Sequence, residues 1–271
     1  MKNRLMVFLI FLLAPAPAYL FSDSGDGRDP LSIDTYVLVK GPVYLKKARN
    51  LSGVTFNSDD QRLYFIQNRP ARIIVTDLEG NIFQRIKLPG FRDTEDISYA
   101  GDGRFLLVEE GRSNVCLVNI DRYTESIHGR DVKKIALSSR SMRNTGIEGV
   151  DYSPRSGDIL CVKEKNPKKI YRLNIKAFFD NQIIISNPWD LEKKPQGLLD
   201  VSGVNFVKDR YYILSHESSV LIETDGNGRE YGKLNLKGII KQAEGVSFDN
   251  SGRLYICGEP NSFYIFESVK K

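Results

Sequence analysis

Seven glutamates in this chain recur at equivalent places in a repeated pattern: Glu95, Glu110, Glu148, Glu164, Glu217, Glu244 and Glu259. Carboxylates grouped in this way serve two kinds of chemistry. They hold a hard cation such as Ca²⁺, which takes six to eight oxygens, or they accept backbone N–H groups and brace the fold. The pattern that sets them is a hairpin, best seen in IEGVDYSPRSGDILCVKE (147–164). Its relatives are LSGVTFNSDDQRLYFIQN (51–68), TEDISYAGDGRFLLVEE (94–110), VSGVNFVKDRYYILSHE (201–217) and AEGVSFDNSGRLYICGE (243–259). After its first residue each carries Ser or Glu, then Gly or Asp, an aliphatic residue, one further residue, and Phe or Tyr. A turn follows, then an apolar run ending on Asn or Glu.

Two columns result. Ser52, Glu95, Glu148, Ser202 and Glu244 stand at the start of the first strand. Asn68, Glu110, Glu164, Glu217 and Glu259 stand at the end of the second. Side chains two apart share a face of a strand. Tyr152 set opposite Leu160 pairs Val150 with Val162 and Glu148 with Glu164, placing both acids on the packed face. Like charges directly opposite destabilise a sheet, and burial raises the cost unless the charges are paired, hydrogen-bonded or bound to metal.

The second motif positions, Gly53, Asp96, Gly149, Gly203 and Gly245, are spaced 43, 53, 54 and 42 residues apart. This is a repeat of about 42 residues with insertions in two units, fitting 122–131 and 181–195. Each unit has further strands after the hairpin, as in ARIIVTDLEGNIFQRIKL and SVLIETDGNGREYGKLNL. Four antiparallel strands per repeat predict an all-β β-propeller of five four-stranded blades. The last unit lacks a strand, and DTYVLVK (34–40) is expected to close the ring and remove a sheet edge. A sixth blade would have to lie in 122–142 or 175–195, and neither carries the motif. If the motif's first strand is the innermost of each blade, the acidic columns converge at one mouth of the central channel.

Lys2 and Arg4, the apolar run Leu5–Leu13 and the small-residue stretch Ala14–Ala18 form a secretory signal or an N-terminal membrane anchor over residues 1–21. Residues 22–33 read as a linker and 34–271 as the propeller domain. This places the protein in the periplasm, or on the inner membrane facing the periplasm through its N-terminal segment alone. The 271 residues carry a net charge of +5 without a basic block suited to nucleic acid. Cys116, Cys161 and Cys257 are an odd number, all in strand-like runs, and read as core residues.

Other chemistries are weaker. Ser215 and His216 are adjacent in a strand and face opposite sides, so they form no triad with an acid. Two histidines, His128 and His216, with three strand cysteines show no zinc spacing. The stretch Asp225–Gly228 is a hairpin turn rather than a calcium loop. Arg69, Arg112, Lys165, Lys168 and Lys169 form a basic rim at the acidic end. That rim is either charge balance or a site for a phosphate-bearing ligand.

The motifs SGVTF, IEGVDYSPRSGDILCVKEK, VSGVNF, AEGVSF and PNSFY resemble the SdiA-regulated family of bacterial envelope proteins, in order over about residues 34–267. The resemblance implies a five-bladed propeller with a calcium site and an N-terminal membrane segment, and no established biochemical activity. The expected function is a non-enzymatic Ca²⁺-binding propeller of the envelope, with no catalytic residues and the seven glutamates as metal ligands. Two rivals stand beside it: a calcium-dependent, phytase-like phosphoesterase, by analogy of fold, and a scaffold whose loops bind another envelope protein.

Overall fold

Alternating strands and tight turns build 19 strands in a computed structural model that describes residues 32–137, 146–180, 183–195 and 197–269. The expected signal or anchor (1–21) and most of the linker lie outside the described residues. Ile33, at the end of that linker, already belongs to the fold, for it is fully buried and its N–H donates to Glu223 Oε2 (3.1 Å).

Five antiparallel sheets form the five blades. Blade 1 is β2 (Leu51–Asn57), β3 (Arg62–Gln67), β4 (Arg72–Thr76) and β5 (Ile82–Lys87). Blade 2 is β6 (Thr94–Tyr99), β7 (Arg104–Glu109), β8 (Asn114–Asn119) and β9 (Lys133–Ala136). Blade 3 is β10 (Ile147–Ser153), β11 (Asp158–Lys163) and β12 (Lys169–Asn174), with its fourth position reduced to a bridge between Arg172 and Ser186. Blade 4 is β13 (Gly203–Val207), β14 (Arg210–Ser215), β15 (Val220–Thr224) and β16 (Glu230–Asn235). Blade 5 is β17 (Ala243–Phe248), β18 (Leu254–Gly258) and β19 (Ser262–Ser268). The ring closes as expected: β1 (Tyr36–Tyr44) pairs antiparallel with β19 as the outermost strand of blade 5.

The apolar core is divided into five clusters, one in each interface between neighbouring blades. The aliphatic residue of each motif (Val54, Ile97, Val150, Val204, Val246) packs toward the preceding blade. The three cysteines are free and buried in these clusters. The turns at Asp77 and Asp225 are hairpin turns, in which the carboxylate accepts N–H groups two and four residues on.

The motif's next residue clamps the following blade. Tyr99 N donates to Thr55 Oγ1 (3.0 Å), Tyr152 N to Ser98 Oγ (3.2 Å), Phe206 N to Asp151 Oδ2 (2.6 Å) and Phe56 N to Ser247 Oγ (3.0 Å). Asn205, the corresponding residue of blade 4, instead donates its side-chain amide back to Asp151 Oδ2 of blade 3 (3.1 Å).

The glycine column follows from close approach of the inner strands. A Cβ on Gly245 would lie 2.6 Å from Gly53 Cα, and one on Gly149 would lie 3.0 Å from Gly203 Cα. Blade 2 carries Asp96 instead, and its buried carboxylate accepts from Ile97 N and Val150 N, both at 2.8 Å. Gly245→Ala is therefore expected to force blades 5 and 1 apart and cost about 2–3 kcal/mol, a fall in Tm of roughly 5–10 °C. A thermal melt of the variant within 1 °C of the parent protein would rule out this reading of the ring.

Candidate metal centre

The first acidic column sits on β-bulges. The ladder slips between Leu51 and Gly53, Thr94 and Ile97, Ile147 and Gly149, and Ala243 and Gly245, so Ser52, Glu95, Glu148 and Glu244 all fall where one strand carries an extra residue. Bulges re-aim side chains at strand ends. This corrects the register read from the sequence. Tyr152 pairs with Ile159, Val150 with Cys161 and Ile147 with Lys163. Glu148 therefore does not stand directly opposite Glu164, because the turn is one residue tighter than strict alternation implied and the bulge then takes up a residue.

The carboxylates nevertheless meet. Oxygens of Glu110, Glu148 and Glu164 lie within 4.8 Å of one another, as do oxygens of Glu164, Asp200 and Glu217. Glu164 belongs to both groups. Burial raises the Glu148 carboxyl well above the ordinary range, and the charges of Glu95, Glu110, Glu164 and Glu244 raise it further. Burial likewise pushes Glu95 up to about 8, helped by Glu110, Asp93 and Glu259. Glu244 reaches about 8 by burial, with Glu259, Glu95 and Asp200 adding to it. Acids from blades 2, 3 and 5 thus feel one another across the propeller axis. Glu217, at the edge, is half exposed.

Bracing coexists with clustering. Glu110 Oε1 accepts from Gly146 N (3.0 Å), tying blade 2 to the entry of blade 3. Burial raises its proton affinity, and this bond opposes the rise. Asn68, in the same column, donates to Glu95 Oε1 (2.6 Å). Glu259 Oε1 accepts weakly from Asn50 (3.4 Å).

Residues two places before the first column complete the rim. Asn50, Asp93, Gly146 and Gln242 each offer a backbone carbonyl to the N–H of the second-column residue of their own blade. In blade 4 the Asp200 carboxylate does this instead, accepting from Glu217 N (3.1 Å) and from Ser215 Oγ. Asp200 and Asp93 were not legible as members of the site. The polar run Asn50, Asp93, Gly146, Asp200, Gln242 in the same alignment is the signal that marks them. Four of the five rim cations are engaged with acids: Arg69 with Asp93 (2.8 Å), Lys165 with Glu164 (2.8 Å) and Glu217 (3.0 Å), Lys168 with Glu192 (3.2 Å), Arg112 with Glu109 (3.6 Å).

The donor set suits a hard cation. Ca²⁺ holds oxygens at about 2.3–2.6 Å, so oxygens on opposite sides of the ion are about 5 Å apart. The triad of Glu110, Glu148 and Glu164 is within that span.

A family model described as SdiA-regulated matches residues 36–267. Solved structures share the architecture at low identity. Glutaminyl cyclase of Myxococcus xanthus aligns with a TM-score of 0.60 and 13% identity, over 86% of this chain and 95% of that chain. A luciferin-regenerating enzyme gives 0.55 and 11%, over 85% and 96%. A gluconolactonase of Xanthomonas campestris gives 0.52 and 14%, over 83% and 88%. At these identities the likeness is one of fold alone.

Proposed function

Since the chain belongs to the SdiA-regulated family, we propose that it is a non-enzymatic Ca²⁺-binding β-propeller of the cell envelope. The cation is held at one axial mouth by Glu110, Glu148 and Glu164, and Glu95, Glu244 and Glu259 contribute field and further oxygens. The observation that carries the reading is the triad of one buried and two partly buried carboxylates whose oxygens lie within 4.8 Å of one another. Burial and mutual repulsion raise the proton affinity of Glu110 and Glu148, and a cation shared by such close carboxylates relieves that repulsion. Hard oxygen donors select Ca²⁺ over metals that prefer nitrogen or sulfur, and Mg²⁺ demands a tighter octahedron.

The basic, apolar and small-residue order of residues 1–21 supports delivery to the periplasm or to the outer face of the inner membrane. Residues 34–271 act there as one propeller domain.

Calorimetric titration of chelator-treated protein with CaCl₂ tests the proposal. One saturable event and a Tm raised by several degrees are expected, with Mg²⁺ weaker. Absence of both heat and Tm shift would reject Ca²⁺ binding.

A further inference from the structure

The second carboxylate group already contains a cation. Glu164, just past the end of β11, and Asp200 and Glu217, from blade 4, bring oxygens within 4.8 Å of one another. Lys165 follows Glu164 directly and folds back over it. Its ammonium lies 2.8 Å from Glu164 Oε1 and 3.0 Å from Glu217 Oε1. Two of the three acids are thus bridged across the junction of blades 3 and 4 by a single positive group. The third, Asp200, is almost wholly buried and is held in place by Ser215 Oγ and the N–H of Glu217. Its position does not depend on Lys165.

Lysine suits such a role because its ammonium is a compact point charge with three donors on a flexible stem. It cannot supply the divalent charge that Glu164 would share with Glu110 and Glu148. Glu164 is common to both groups, so the charge on one position acts directly on the other.

We propose that the Lys165 ammonium is an internal counter-ion filling the second of two cation positions that share Glu164, and that it limits the propeller mouth to one exogenous divalent ion. This rests on the Ca²⁺ reading of the Glu110, Glu148 and Glu164 triad and specifies its stoichiometry. Removal of the ammonium frees Glu164, Asp200 and Glu217 as ligands for a second hard divalent ion.

The test is a calorimetric CaCl₂ titration of the whole chain as parent protein, Lys165→Met and Lys165→Arg. Methionine keeps the apolar stem and removes the charge, whereas arginine keeps the charge. The parent and Lys165→Arg are expected to bind one ion, and Lys165→Met two, a twofold rise. Adding Asp200→Asn to Lys165→Met should return the count to one. One ion in Lys165→Met at unchanged affinity would overturn the role of Lys165 and leave the Ca²⁺ reading standing. No binding in any variant would overturn both. If Lys165→Met melts early, Lys165→Met with Glu217→Gln, which also removes the freed acid, tests the same claim. It should bind the first ion at least tenfold more tightly than Glu217→Gln alone, and equal affinities would overturn the proposal.

Discussion

Replacing Glu148 and Glu164 together by glutamine is expected to abolish Ca²⁺ binding and at the same time stabilise the cation-free protein at pH 8. The two effects have one cause. Two unit charges within 4.8 Å of each other repel by roughly 3–4 kcal/mol at an effective dielectric constant of about 20, of which the Lys165 ammonium on Glu164 offsets a part. Burial adds a desolvation penalty to ionised Glu148. Glutamine keeps the shape and hydrogen-bonding capacity and removes the charge, so the repulsion goes with the ligand. A gain of about 2–4 kcal/mol corresponds to a rise in Tm of roughly 5–15 °C for a domain of this size. A purely bracing role predicts the opposite sign, because an amide accepts N–H bonds less strongly than a carboxylate. The melt and the titration of the double variant therefore separate the two readings. Loss of stability together with retained Ca²⁺ binding would place the site elsewhere. Glu110→Gln is the milder variant, since its amide oxygen can still accept the N–H of Gly146 that now binds Glu110 Oε1.

The cation-free protein is also expected to lose stability as pH rises from about 5 to 8.5, and Ca²⁺ is expected to remove that loss. Burial and mutual repulsion push Glu95 and Glu244 up to about 8, and Glu148 rises well above the ordinary range. In the unfolded chain the same groups titrate near 4.3. Between these values the folded state holds protons that the unfolded state has released. Stability changes with pH as the protons bound unfolded minus those bound folded, so the slope is negative through this window. The stabilising protonation is fully present below pH 4.3 and is lost as pH passes 8. Asp151, pushed up to about 6 by burial, acts in the same direction. Burial opposes ionisation of Asp77 and Asp225, yet both lie below the ordinary range because backbone N–H groups, with the Asn81 amide at Asp77 and the charges of Arg210 and Arg229 at Asp225, favour the charged forms. Their contribution is lost only on the acid side, below the window. The cluster together should lower Tm by about 10 °C between pH 5.5 and 8.5 in chelator, on the order of several kcal/mol. Saturating Ca²⁺ should flatten or reverse the trend, because only the ionised acids bind it. Differential scanning calorimetry across the window checks both parts. A Tm that is constant or rises with pH in chelator would show that the acids are ionised and satisfied without a cation.

Five blades, their order and the closing strand were legible in the sequence because a propeller repeats one local pattern. Val54, Ile97, Val150, Val204 and Val246 mark the inner strands, and Gly53, Gly149, Gly203 and Gly245 mark where those strands come too close for a Cβ. Burial of the three cysteines followed from their strand context. The two acidic columns were legible for the same reason, since alignment of the repeats superposes equivalent places on the ring. What each acid meets there was decided by the tertiary structure. Strict alternation set Glu148 opposite Glu164, yet a one-residue bulge re-aims it toward Glu110, Glu95 and Glu244, and alternation carries no trace of a bulge. Asp200 enters the site from a polar position outside the motif, and Lys165 becomes its internal cation only when blades 3 and 4 are joined. Pattern along a chain records which residues share a place in the repeat. Distances between blades depend on register, bulges and the closing of the ring, which no single repeat contains.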